Sequence, residues 1–337
     1  DAEVAAVTRP VWTSSGALNL GTATNAISNL GAITAPGGFT LTNGNTSVTV
    51  GGTINTTTTG TVSISVGSGT YTQNDFDITS GSGNITITAD VVAIGANTLN
   101  NAFQTSGTLT LEPSTVTVAL SLAGAATFDL TAAEVTDLSG GVTGAGTIVI
   151  GNAANTNAGS TLTVGGSVSF GSTTVTLNAY LFNDGDTTGR TVTAGTLNLN
   201  APGGAIGTAN ANGAIDTTLS TLTLSTTATN NAYINETDAV ALGASTVNGG
   251  LNLTSDGAVT QSAGLTVTGT AAFAAGTGNN ITLDAAANDF GTVVITSGNN
   301  VTLVDSNGFN LGASTITGNF TLGNGAMTFT ATQTGTV

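Results

Sequence analysis

This sequence repeats itself. Leu242-Gly243-Ala244-Ser245-Thr246-Val247-Asn248-Gly249-Gly250-Leu251-Asn252-Leu253 returns as Leu311-Gly312-Ala313-Ser314-Thr315-Ile316-Thr317-Gly318-Asn319-Phe320-Thr321-Leu322, 69 residues later. The match is too long to arise from composition, and self-similarity at a fixed offset marks a repeat architecture. Gly257-Ala258-Val259-Thr260 is echoed just beyond by Gly325-Ala326-Met327-Thr328. Weaker copies are Ile94-Gly95-Ala96-Asn97-Thr98-Leu99-Asn100 and Leu30-Gly31-Ala32, followed by Phe39-Thr40-Leu41. A finer period lies inside. Asn280-Ile281-Thr282-Leu283, Asn300-Val301-Thr302-Leu303 and Asn319-Phe320-Thr321-Leu322 stand about 20 residues apart, the length of one coil. The longer offset is then expected to hold three coils with small insertions.

The local pattern says what a coil is made of. Val62-Ser63-Ile64-Ser65-Val66, Ile85-Thr86-Ile87-Thr88 and Leu222-Thr223-Leu224 alternate apolar and hydroxyl residues. Period-two alternation reads as short strands with one face buried. Gly, Asn, Asp and Ser between them form turns. One stretch, Leu130–Leu138, reads as helical, a single turn or a bent strand. A unit of about 20 residues buries no core alone, so three short strands wind into a coil and the next coil stacks on it in parallel. Equivalent side chains then form ladders: Val, Ile, Leu and Ala inside, Asn amide to amide at corners. A chain of this length holds roughly 17 such coils. An array of immunoglobulin-like sandwiches repeats at greater length and keeps a buried Trp or a Tyr corner. One Trp and three Tyr in 337 residues argue against it.

Composition removes most chemistry. The chain has no His and no Cys, and its only basic residues are Arg9 and Arg190. That excludes a thiol nucleophile, a Ser-His-Asp triad, a Schiff-base lysine and the usual zinc sites. A net charge of −16 argues against nucleic acid and anionic membranes as partners. No apolar run is long enough for a membrane-spanning helix. The Asp1-Ala2-Glu3-Val4 start has no basic region or apolar signal core, which suggests a processed chain or a piece of a longer one.

Several stretches resemble the repeat-rich exoproteins of bacterial two-partner secretion, the filamentous haemagglutinin-like adhesins. They are Phe128–Val135, Tyr233–Val240, Leu251–Ser262 and Ile281–Phe290, and the resemblance runs from about Gly16 to the end. It implies a right-handed parallel β-helix, exported through an outer-membrane partner pore and then released or kept at the cell surface. Host cells, other bacteria or matrix components are the implied partners. The Asn-Pro-Asn type of motif of the family's secretion domain is absent, which fits a part of the rod. The expectation is therefore an all-β parallel β-helix over residues 1–337, a single continuous rod belonging to a longer exoprotein, with a less regular start at 1–15. Its function is the stalk of an adhesin, or alternatively a filament or matrix scaffold that self-associates end to end.

Each chemically suggestive cluster has a plainer reading. Asn183-Asp184-Gly185-Asp186 crowds two carboxylates into a turn and could hold Ca²⁺, but the known calcium-loop patterns are not met. A solvated turn with a weak ion pair to Arg190 is the simpler account of Asp184 and Asp186. Asp284 and Asp305 sit about one coil apart and read as solvated corners. Asp75 with Asp77, and Glu236 with Asp238, are paired carboxylates of the kind glycosidases use, yet a basic group is lacking nearby. Thr-x-Thr pairs such as Thr86/Thr88, Thr108/Thr110 and Thr315/Thr317 could face ice in a regular rank, but their uneven spacing puts them on different faces. Asn-x-Thr/Ser triplets at Asn45, Asn84, Asn235, Asn252, Asn280, Asn300 and Asn319 could accept glycans, but also arise wherever a corner Asn precedes an alternating strand. No residue is expected to be catalytic, to bind a cofactor or to ligate a metal, and the protein is not expected to be an enzyme.

Overall fold

The computed structural model describes residues 11–21, 25–95, 101–154, 156–185, 189–210, 212–323, 327–329 and 334–335. The Ile94 repeat copy lies largely outside these residues, and so does most of the expected irregular start. Apart from one helix, the described elements are strands, and the named pairings between them are parallel. The chain is a β-solenoid. It divides into two compact units: Asp1–Ser160 with Gly165–Asn178, and Thr161–Val164 with Ala179–Val337.

In the first unit one ladder runs through Phe39, Val62, Ile85, Leu109, Ile148 and Val175. A second runs through Ile33, Ile54, Ile78 and Phe103. Every one of these side chains is buried. The strand Val62–Gln73 shows why: its buried and partly exposed residues alternate almost throughout, so Val62, Ile64, Val66 and Tyr71 point inward and Ser63, Ser65 and Thr70 outward. Each full burial of such an aliphatic chain is worth roughly 1.5–3 kcal/mol, repeated at every turn. Tyr71 stacks on Phe103 at 6.4 Å and 29°. Its hydroxyl donates to Gln73 Oε1, and Gln73 Nε2 donates to the Phe76 carbonyl.

The helix Ala132–Gly141 takes up the stretch read as helical from Ala132 onward and continues past it, while Leu130 ends the strand Phe128–Leu130. Thr131 caps it: its Oγ1 accepts the Glu134 amide, while Glu134 Oε2 accepts the Thr131 amide at 2.8 Å. Glu134 Oε1 also accepts the Ile94 amide at 2.7 Å, tying the helix to the strand Ile85–Ile94. Val135 and Leu138 are buried beneath it.

In the second unit the chain passes three strand columns per turn. The first holds Ala232, Leu251, Ala271, Val293 and Leu311. The second holds Val240, Val259, Ile281, Val301 and Phe320. The third holds Val247, Val267 and Phe290. The expected short period is this stacking, since Ile281, Val301 and Phe320 are successive rungs of one column.

Two expectations change. Turns average about 22 residues and number about 14, fewer than the roughly 17 expected. The first unit is responsible: its turns step by 23 and 24 residues, and 39 residues separate Thr108 from its neighbour Thr147 because the helix is inserted between them. The long repeat, moreover, is not a whole number of turns. Three turns carry Ala232 to Val293, but the repeat partner of Ala232 is Val301, in the next column. Leu251 and its partner Phe320 likewise stand in different columns. Ala232 and Leu251 are thus each carried by the repeat through three turns and one further strand.

The local roles survive that rotation. Ser245 Oγ donates to the Gly243 carbonyl at 2.9 Å and accepts the Leu224 amide at 3.0 Å. Its repeat partner Ser314 donates to the Gly312 carbonyl at 3.1 Å and accepts the Ile295 amide at 3.0 Å. A buried hydroxyl closes the same corner on both occasions, leaving neither donor nor acceptor stranded.

Candidate functional site

Of the carboxylates singled out in the sequence, Glu236 and Asp238 come within hydrogen-bonding reach of each other. Asp184 is buried rather than solvated, and Asp186 lies outside the described residues. Asn183 Oδ1 accepts the Gly185 amide at 2.9 Å, forming the turn. Arg190 donates from Nη1 to the carbonyls of Asp184 at 2.9 Å and Val164 at 3.4 Å. Asp284 is exposed, but Asp305 is fully buried and is no solvated corner. Its carboxylate accepts the amides of Phe290 at 2.8 Å, Asn307 at 3.1 Å and Gly308 at 2.5 Å. The two are also out of step, because Leu283 pairs with Leu303 and so Asp284 faces Val304. Asp75 is exposed, and Asp77 accepts from Gln104 Nε2 at 2.8 Å.

The Glu236 carboxyl is strongly perturbed. It is buried at a strand end, and its pKa is pushed up to about 7, chiefly by burial. Its Oε2 accepts from Thr217 Oγ1 at 2.8 Å and its Oε1 accepts the Leu219 amide at 3.0 Å. Asp238 raises the pKa further by sharing a hydrogen bond with it and by charge repulsion. These contacts hold two turns together, with the Thr217 hydroxyl and the Leu219 amide of one turn bound to the Glu236 carboxylate of the next.

The sequon asparagines are largely structural. Asn45, Asn84, Asn280 and Asn300 each use Oδ1 to accept a backbone amide of the following turn, at 3.0 Å or close to it. The hydroxyl pairs are more ordered than expected. Thr40/Thr42, Ser63/Ser65 and Thr86/Thr88 occupy equivalent outward positions on successive turns, and Thr86 is followed by Thr110. Thr108/Thr110 therefore shares a face with Thr86/Thr88. The row then meets Glu112, the register partner of Thr88, and Val149, the partner of Thr110.

What sequence reading missed is a groove on the outer face of the second unit, about 570 Å³ and open to solvent. Two outward rows form its floor. One is Asn231, Gly250 and Thr270; the other is Tyr233, Asn252 and Ala272. Gly250 and Ala272 leave the depression, and Tyr233 stands at its side. Asn231 fixes the ring: its Nδ2 donates to the Tyr233 hydroxyl at 3.0 Å, and its Oδ1 accepts the Gly250 amide at 2.7 Å. Gly249 and Gly269 make the rim, where a Cβ on either would lie within 2.7 Å of backbone. The legible signal was an aromatic at an outward position, between inward Ala232 and Ile234.

A repeat family described as repeats of unknown function (DUF5649) matches residues 229–297 and 298–337. The two matches begin just before Ala232 and just before Val301, the repeat partners that occupy neighbouring columns. The chain is a β-helical repeat protein. No curated protein and no solved structure matches it.

Proposed function

We propose that this chain is part of the stalk of a secreted or cell-surface adhesin of the filamentous haemagglutinin-like kind, exported through an outer-membrane partner pore. Its work is mechanical, not catalytic. The observation that carries this reading is the turn-on-turn parallel stacking around an aliphatic and aromatic interior, in a sequence that resembles those exoproteins. In such a stack every turn is hydrogen-bonded to its neighbours along whole strands, so load is shared among many bonds. The outward Thr, Ser and Asn, with a net charge of −16, keep the surface hydrated and self-repelling.

Two measurements test it. Beads coated with the purified chain should retain bacterial or epithelial cells above albumin-coated beads. Electron microscopy at rising protein concentration should show single particles. Beads that retain no cells, with long uniform fibres growing in the microscope, would replace the stalk with a self-assembling scaffold.

A further inference from the structure

The groove beside Tyr233 has the chemistry of a sugar subsite, and we propose that it binds a neutral oligosaccharide laterally, across three successive turns. This does not depend on the adhesin reading, because a scaffold would carry the same groove.

The argument starts from what the groove offers. It is concave, with one aromatic wall and convergent polar groups, the usual make-up of a small-ligand site. The Tyr233 ring is only partly exposed and is held by Asn231, so docking a ligand orders little that is loose. A hexose ring presents C–H groups on its face and hydroxyls round its edge. An aromatic face packs on the former. Carboxamides and hydroxyls, which both donate and accept, satisfy the latter. Asn252 and Thr270 are exposed on the floor; Thr268, on the rim, donates its hydroxyl to the Asn248 carbonyl at 2.5 Å and keeps only its acceptor side for a ligand. Asn248, by contrast, has its Nδ2 committed to the Thr226 carbonyl at 3.0 Å and serves as wall.

Size and charge narrow the ligand. Neighbouring strands lie about 4.8 Å apart, so three turns span roughly 10 Å, room for one or two sugar rings. None of the groove's lining residues is charged. A sialylated or sulphated glycan, or a nucleic acid, would find no counter-charge here and would be repelled by the acidic chain. The glycine rim explains why the depression persists: Gly249 and Gly269 admit no side chain without moving backbone.

The test is saturation-transfer NMR on the whole chain with cellotriose, maltotriose and chitotriose, and with 3′-sialyllactose as the charged comparison. At least one neutral trisaccharide should receive transfer at its ring C–H protons at millimolar concentration. Tyr233→Ala should weaken that binding roughly tenfold or more, while Tyr233→Phe keeps it. Ala272→Gln, which fills the depression from an outward position, should also abolish it. Circular dichroism melts of the three variants establish that each remains folded. The proposal is overturned if no neutral trisaccharide binds, if folded Tyr233→Ala binds like the parent, or if 3′-sialyllactose binds equally well. None of these results bears on cell retention by coated beads.

Discussion

Asn280 and Asn300 occupy the same corner on successive turns, and Asn280 Oδ1 accepts both the backbone amide of Asn300 at 3.1 Å and its side-chain Nδ2 at 3.0 Å. Asn300 Oδ1 in turn accepts the Asn319 amide at 3.0 Å. Each carboxamide thus hydrogen-bonds a backbone donor that the strand ladder does not reach. Asn300→Ala should cost about 1–2 kcal/mol in urea denaturation, with Asn280→Ala/Asn300→Ala less than additive. Full additivity would mean that the two amides act separately.

Glu236 should make stability depend on pH. Its folded pKa of about 7 lies above the ordinary 4.5, so the folded state favours the protonated acid. The associated stability is present below the unfolded value and is lost as pH rises from about 4.5 to about 7, a loss on the order of 1–3 kcal/mol. Glu236→Gln keeps an oxygen for the Leu219 amide and replaces the proton shared with Asp238 by an N–H. The variant should be the more stable protein at pH 8 and should show a flatter profile. An unchanged slope would place the titration elsewhere.

Val301 lies wholly inside the second column, between Ile281 and Phe320. Val301→Asp would place a carboxylate in an apolar ladder without a partner, and the resulting loss of several kcal/mol should open the neighbouring turns. Val301→Ala should cost only about 1–3 kcal/mol, the transfer and cavity terms of two lost methyl groups. Thermal melts that rank the two variants together would refute the inward assignment.

Glycines divide into those required and those tolerated. A Cβ on Gly52 would stand 2.4 Å from the Ala32 amide nitrogen, on the preceding turn, whereas one on exposed Gly278 would meet nothing within 4 Å. Gly52→Ala should therefore destabilise by about 1–3 kcal/mol, while Gly278→Ala should be neutral or gain about 0.4–1 kcal/mol. Equal effects in a melting comparison would contradict the close approach at Gly52.

Val62, Ile64 and Val66 could be placed inside, and Ser63 and Ser65 outside, from alternation alone. The stretch read as helical, single turn or bent strand holds the helix Ala132–Gly141, whose capping by Thr131 and Glu134 became visible only in the structure. Asp305 could not be read correctly: its burial follows from the Phe290 amide, which arrives from the previous turn. Tyr233 drew no attention as a site, because its surroundings come from Gly250 and Ala272 on two later turns. The rotation between Leu251 and Phe320 was hidden for the same reason, since similar corners recur in different columns.

What the sequence determined by itself was the winding: strands whose residues alternate in and out, corners of Gly and Asn, and a spacing that makes each turn lie on the last. Those properties belong to a few consecutive residues, so local pattern suffices. Only the tertiary structure decided which residue sits above which. The number of residues spent in each corner sets that register, and small differences in corner length accumulate from turn to turn until they choose the partners of Glu236, Asp305 and Tyr233.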